Sequence, residues 1–222
     1  MTEFDFSELF DKTASEAGED TAAEKEPWKL LDRIPELIKK IVEKGGFTEI
    51  KEGVYVGKDV KIAPSAYIDG PCVIGDGSEI RHCAYIRGNA IIGKKCVVGN
   101  STELKNCILY DLVQVPHYNY VGDSILGKHA HLGAGAVISN LKSDGKNVVI
   151  KYKTDSGVYE YETGRRKLGA LIGDYAEIGC GCVLNPGTVI GKKSRVYPQC
   201  SVRGVVPSEC IYKNEKEIVP IK

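Results

Sequence analysis

The chain has 222 residues, with 30 basic and 30 acidic side chains and no formal net charge. That length supports one sizeable domain plus an extension, and the balanced charge argues against a dedicated nucleic-acid or membrane-surface protein. No apolar run approaches the roughly 20 residues that span a bilayer, and the acidic start lacks the features of a secretory signal. The eight cysteines are therefore expected as free thiols in a cytoplasmic protein, and no C-x2-C pair supports structural zinc.

Residues 1–26 read as an acidic, flexible segment. Nine acids face only Lys12 and Lys25 in the first 27 positions, and the rest of the chain carries the compensating basic excess. Within it Phe4, Phe6, Leu9 and Phe10 offer a small docking helix. Over residues 27–50 the pattern changes. Trp28, Leu31, Ile34, Leu37, Ile38, Ile41 and Val42 recur at helical spacing, Pro35 splits or bends the run, and Gly45-Gly46 ends it. This segment reads as a helical cap over the open first coil of the structure that follows.

From Val56 an aliphatic residue returns every six positions: Ile62, Ile68, Ile74, Ile80, Ile86, Ile92, Val98 and Leu104. A small or β-branched partner follows four residues later, as at Ala66, Cys72, Ser78, Ala84, Ala90, Cys96 and Thr102. The series resumes at Leu126, Leu132 and Ile138, then at Ile172, Ile178, Leu184, Ile190, Val196 and Val202. A period of six fits neither a helix nor a long two-faced strand; it fits short strands separated by corners. Three such strands close an eighteen-residue coil, and coils stack about 4.8 Å apart. The predicted fold is thus all-β, a parallel β-helix of hexapeptide repeats over residues 51–210, followed by a C-terminal tail, 211–222. Cys72, Cys96, Cys182 and Cys200 fall on the small interior phase, whereas Cys83, Cys107 and Cys180 do not.

The repeat breaks at 141–171. Two runs rich in Val, Ile and Tyr flank Asp155-Ser156-Gly157 and predict a protruding β-hairpin. It leads into the basic turn Gly164-Arg165-Arg166-Lys167-Leu168-Gly169, a candidate anion contact.

Arg87 and Lys105 are one eighteen-residue coil apart, and each follows an interior aliphatic residue. They stack on one outer face, where two cations repel unless an anion joins them; phosphate is a natural ligand, and a solvated charge ladder is the alternative. Glu103 projects on the same side. His117 lies where the six-residue phase is interrupted, with an intrinsic pKa suited to accepting a proton near neutrality.

The ordered series Arg87-Gly88-Asn89-Ala90, Val98 through Lys105, Pro116-His117 through Asp123, and Leu132-Gly133-Ala134-Gly135-Ala136 ending at Ser139-Asn140 resembles the acetyltransferase domain of bifunctional N-acetylglucosamine-1-phosphate uridylyltransferases. Gly164 through Asp174 is similar to the archaeal and related sugar-1-phosphate nucleotidyltransferases that carry this domain. The resemblance spans about residues 54–206 and implies left-handed winding. It also implies acetyl-CoA-dependent acetylation of an amino-sugar 1-phosphate such as glucosamine 1-phosphate, with no metal required. On that resemblance His117 is the general base and Glu103 its catalytic companion. Arg87, Lys105 and Lys167 hold the sugar phosphate, and Tyr120 and His131 complete the substrate contacts. Asn140 lies near the acetyl group, with Ala134 and Cys180 along the CoA path. His131 replaces an Asn usual in the bacterial enzymes. The family forms homotrimers with clefts between neighbouring helices.

Nothing before residue 50 supplies the Gly-rich loop of the nucleotidyltransferase domain, so no uridylyl transfer is expected from this chain alone, and a separate nucleotidyltransferase is one candidate partner. Two other readings compete. One is a metalloenzyme of the γ-carbonic-anhydrase type using His82, His117, His129 and His131, although its H-x4-H spacing is missing. The other is a catalytically silent binder of sugar phosphates or sugar nucleotides.

Overall fold

The computed structural model describes residues 4–11 and 24–221. Short parallel strands stack into a three-sided coil. A polar face runs through Lys61–Ile62, Glu79–Ile80, Val97–Asn100, Gln114–His117, His131–Leu132 and Glu177–Ile178. The next face, called the site face below, runs through Tyr67–Asp69, Tyr85–Arg87, the first halves of Glu103–Leu109 and Tyr120–Leu126, and then Val137–Ile138 and Val183–Leu184. The third, the flank face, takes Val54–Val56, Cys72–Ile74, Ala90–Ile92, the second halves of the same two long strands, Ala170–Ile172, Thr188–Ile190 and Val205–Val206. From Ile68 on, the periodic aliphatic residues point inward and are buried against the small ones, with Val56 and Ile62 partly buried at the first coil, which explains the six-residue rule directly.

The period is not constant. Ile74 pairs with Ile92 after eighteen residues, but Ile92 pairs with Leu109, and Leu109 with Leu126, after only seventeen. The missing residue lies at the corner between the site and flank faces. Arg87-Gly88-Asn89 turns that corner in one coil, whereas Lys105-Asn106 and then Gly122-Asp123 turn it in the next two. Asn106 and Asp123 each adopt a left-handed conformation there, with φ of 50° and 49°, a region that Asn and Asp tolerate better than most residues. This one-residue slip carries Cys107 into the interior, fully buried, correcting the reading that set it off-phase.

The flank face is apolar on both sides. Val73, Ile91, Ile108, Ile125, Leu171 and Val189 form an outward stripe that is itself buried. A 3-10 turn Pro27–Asp32 and helix α1, Ile34–Glu43, lie across it, burying Trp28, Leu30, Leu31, Leu37, Ile38 and Ile41. The helical segment is therefore not a cap over the first coil but a cover for a lateral face. The physical reason is area: each large aliphatic residue removed from water stabilises by about 1.5–3 kcal/mol, and the stripe crosses several coils. The first coil is edged instead by Thr48–Lys51, antiparallel to Val54–Val56, with the Lys51 ammonium on the Ile68 carbonyl at 2.9 Å.

The inserted hairpin, Val149–Thr154 with Gly157–Glu162, does not simply protrude. Val148, Ile150 and Leu168 are buried in the same flank cluster, with Tyr152 and Tyr161 packed against it. Phe4–Asp11, read with residues 1–26 as a flexible segment, docks into this layer. Phe6 meets Trp28 and Tyr161 edge-on, and Phe10 stacks on Tyr110. Buried Asp174 fixes the end of that segment: its carboxylate accepts from the Asp11 and Lys128 backbone amides, each at 2.7 Å, and its own N–H donates to the Leu9 carbonyl. Residues 12–23, the rest of the expected flexible stretch, lie outside the described residues. Residues 210–220 form not a tail but the antiparallel pair Cys210–Asn214 and Glu217–Pro220, with Tyr212 buried at the end of the core.

Candidate active site

The corner before the site face carries His117. Its backbone is held on both sides: its N–H donates to Asn119 Oδ1 at 3.1 Å, and its carbonyl accepts from the Gly135 N–H at 3.0 Å. Asn119, almost fully buried, donates its amide to the Gly133 and Ala136 carbonyls at 2.9 and 3.2 Å. One coil earlier Gly99 admits the Pro116 carbonyl so closely that a Cβ there would sit 1.6 Å from its oxygen. The loop is thus pinned while the imidazole stays exposed. In register, Asn100 lies one rung before His117. Ala134 and Cys180 lie one and two rungs after it, linked by Gly135 N–H to the His117 carbonyl and Gly181 N–H to the Ala134 carbonyl. His117, Ala134 and Cys180 therefore form one column, and the Cys180 thiol is exposed.

The site face carries the charges. Glu103 pairs with Tyr85 on one side and Tyr120 on the other, which places Arg87 beside Lys105. The expected pair of mutually repelling cations is not what the structure shows. Arg87 donates to Glu103 Oε1 at 2.8 Å, and Lys105 reaches both oxygens of Asp123, at 3.1 and 3.3 Å. Each cation has its own carboxylate, so the anion demanded by their proximity is already supplied. Glu103 is one-third exposed, whereas the Asp123 side chain is 3% exposed. The Glu103 hydrogen bond raises the Arg87 pKa.

Asp123 also accepts amide hydrogens from Asn106 at 2.8 Å and from Asn140 at 2.6 Å, and Asn140 reaches the Tyr120 hydroxyl at 3.3 Å. Burial, together with the Glu103 and Asp123 charges, pushes the Tyr120 phenol up, so it stays protonated. Gly122 leaves the room for this meeting: a Cβ there would lie 2.5 Å from the Tyr120 oxygen and 2.7 Å from the Asn140 amide nitrogen. Asp123 is not among the residues that the sequence marks for the site; its signal is that it replaces a two-residue Gly-Asn corner in a register shifted by one.

Two further expected residues lie off the His117 column. Asn140 joins Tyr120 and Asp123 rather than the Ala134–Cys180 column, since its strand has already crossed the site face. His131 lies on the polar face, between Gln114 and Glu177 in register, one face away from Lys105. Lys167 flanks Asn140: it forms a bridge with Leu141, and the Leu168 N–H donates to the Asn140 carbonyl at 3.0 Å. Arg165 of the basic turn is turned inward onto Asp32. Among the described residues, no three His, Cys, Asp or Glu side chains gather as a metal site, and His129 stacks on Tyr175.

The repeat, the three parallel faces and the corner column define a left-handed parallel β-helix of hexapeptide repeats. The match of residues 51–155 to the EIF2B subunit epsilon LbH domain agrees with this class. The chain belongs to the hexapeptide-repeat family and resembles, within it, the acetyltransferase domain of the bifunctional sugar-1-phosphate enzymes. It is 34% identical over 150 residues to a bifunctional sugar-1-phosphate nucleotidylyltransferase/acetyltransferase of Sulfurisphaera tokodaii, covering 68% of this chain and 36% of that protein. It is 32% identical over 215 residues to the bifunctional protein GlmU of Methanococcus aeolicus, covering 88% of this chain and 48% of that one. The chain thus spans between about a third and a half of the length of these curated relatives. Among solved structures, UDP-N-acetylglucosamine acyltransferase from Campylobacter jejuni superposes with a TM-score of 0.49 at 16% identity, over 75% of this chain and 69% of that one.

Proposed function

We propose that this chain is an acetyl-CoA-dependent N-acyltransferase for an amino-sugar 1-phosphate, glucosamine 1-phosphate or a close relative, with His117 as general base. The observation that carries the reading is the juxtaposition of two features. An exposed imidazole on a rigid corner sits at one edge of the site face, and that face presents Arg87, Glu103, Lys105 and Tyr120 in adjacent rungs. The relatives' names, which join sugar-1-phosphate chemistry to acetyl transfer, support the same assignment.

In this reading the sugar phosphate displaces Glu103 from Arg87 and lies against Lys105 and Lys167. His117 takes a proton from the sugar amine as its nitrogen lone pair forms the N–C bond to the thioester carbonyl. The C–S bond breaks, and the CoA thiolate receives a proton from the imidazolium. Ala134, one rung beyond His117, leaves a shallow track on which the pantetheine arm passes toward Cys180. A second copy packed on the exposed Tyr67, Tyr85, Val137 and Val183 of the site face completes the cleft in a homotrimer. A separate nucleotidyltransferase then takes the product.

The test is release of free thiol from acetyl-CoA across a panel of amino-sugar phosphates, with His117→Ala as control. General-base loss predicts a fall of about 10²- to 10⁴-fold in kcat with an unchanged melting temperature, because the side chain is exposed. Undiminished turnover in that variant removes His117 from the mechanism.

A further inference from the structure

Asp123 is nearly inaccessible, yet it receives three side-chain donors: the Lys105 ammonium, the Asn106 amide and the Asn140 amide. A carboxylate can only accept, so the group that Asn140 turns toward it at 2.6 Å must be the NH2 and not the carbonyl oxygen. The same nitrogen lies 3.3 Å from the Tyr120 oxygen. Its second hydrogen therefore goes to that oxygen, and Tyr120 accepts there. A phenol that accepts from one side directs its own O–H elsewhere, and among the described residues no acceptor takes it. Gly122, bare beneath both groups, keeps them in contact.

We propose that Asp123 is a positioning residue: by orienting the Asn140 amide and holding Lys105, it fixes Tyr120 as a hydrogen-bond donor toward an acceptor oxygen of the bound sugar phosphate. The identity of the ligand rests on the acyl-transfer reading; the direction of the Asp123–Asn140–Tyr120 chain does not. Asp123 itself, buried behind Lys105, touches no ligand. Its action is exerted through the two side chains it orders.

The decisive experiment exchanges the two ends of the chain. Asp123→Asn alone leaves two amides facing each other and frees Lys105. Asp123→Asn combined with Asn140→Asp keeps one carboxylate, one amide and the net charge, but reverses the direction: the carboxylate introduced at position 140 accepts the Tyr120 O–H and turns it away from the ligand. The melting temperature separates this from a merely structural role, and Tyr120→Phe reads the coupling. In the wild type, Tyr120→Phe is expected to weaken glucosamine 1-phosphate at least tenfold, seen as a raised KM and, by calorimetry without acetyl-CoA, as a raised Kd. In the exchange background, whose melting temperature recovers above that of Asp123→Asn, the same substitution is expected to cost less than twofold.

An exchange variant that binds as tightly as wild type, or in which Tyr120→Phe still costs tenfold, overturns the proposal. Wild-type protein that binds glucosamine 1-phosphate but releases no CoA sinks the acyl-transfer reading and leaves the positioning role to be judged by the calorimetric arm. Wild-type protein that does not bind it at all overturns both.

Discussion

Arg87 and Lys105 stand one rung apart on the same face, yet each is held by a different carboxylate: Glu103 at 2.8 Å and Asp123 at 3.1 Å. The two pairs are unequal. The Arg87–Glu103 pair is open to solvent and therefore weak, so in the proposed reading an incoming anion replaces Glu103 on Arg87. Removing a partner from a buried pair costs several-fold more, so Lys105 keeps Asp123 and offers its remaining hydrogens. In the proposed reading the site exchanges one carboxylate for phosphate and retains the other.

Glu103→Gln tests that inequality. With Arg87 released, inorganic phosphate is expected to bind about threefold to tenfold more tightly by calorimetry, while the melting temperature moves little. If Glu103 also acts as the catalytic companion of His117 that the family resemblance implies, turnover falls in the same variant. Weaker phosphate binding in this variant contradicts the exchange.

Gly122→Ala inserts a methyl group where the Tyr120 oxygen and the Asn140 nitrogen meet. Both neighbours are side-chain ends, so the fold accommodates the change by parting them. The expected result is a loss of about tenfold in kcat/KM for the sugar phosphate, which is about 1.4 kcal/mol of transition-state binding, with the KM for acetyl-CoA unchanged. Steady-state kinetics with each substrate varied in turn measures both.

Phe6→Ala empties a position between Trp28 and Tyr161 on the flank face. Truncating a buried aromatic residue costs about 3–5 kcal/mol, read as a lowered urea midpoint. Because that layer lies across the coil from the site face, kcat per folded molecule should be unaltered. A proportional loss of kcat at temperatures where the variant is fully folded points to coupling between the two faces.

Burial pushes the Cys96 and Cys107 thiols up to about 12, and raises Cys72 as well. Below the ordinary thiol pKa of about 8.5, these groups are protonated in both states and their burial is undisturbed. From there to about 12 the unfolded chain releases protons that the folded chain retains. Stability therefore falls as pH rises, by about 1.4 kcal/mol per thiol per pH unit. Denaturation midpoints measured from about pH 8 to about pH 10.5 should decline accordingly, and replacing Cys107 with Ala should make the decline shallower. In the native state at about pH 8 a thiol reagent should modify the exposed Cys83 and Cys180 first.

The sequence by itself determined the coil. Aliphatic residues at six-residue intervals can be buried together only if short strands turn at regular corners, so Ile74, Ile92 and Ile190 declared the interior from their spacing. It also declared His117 as an interruption and Arg87 and Lys105 as neighbours, because stacking distance follows from residue count in a solenoid. What it did not determine depends on groups far apart in sequence or on a change of register. Glu103 and Asp123 are ordinary acids until the parallel stack sets them against Arg87 and Lys105. The shortened corners at Asn106 and Asp123 hide behind a period that resumes later, which is why Cys107 falls off the interior phase when read from the sequence. The outward stripe from Val73 to Val189 is apolar on both strand faces, and periodicity alone does not say what covers such a surface. Only the tertiary structure laid Trp28, α1, the hairpin and Phe6 upon it, because burying that stripe sideways removes more apolar surface from water than closing the end of one coil.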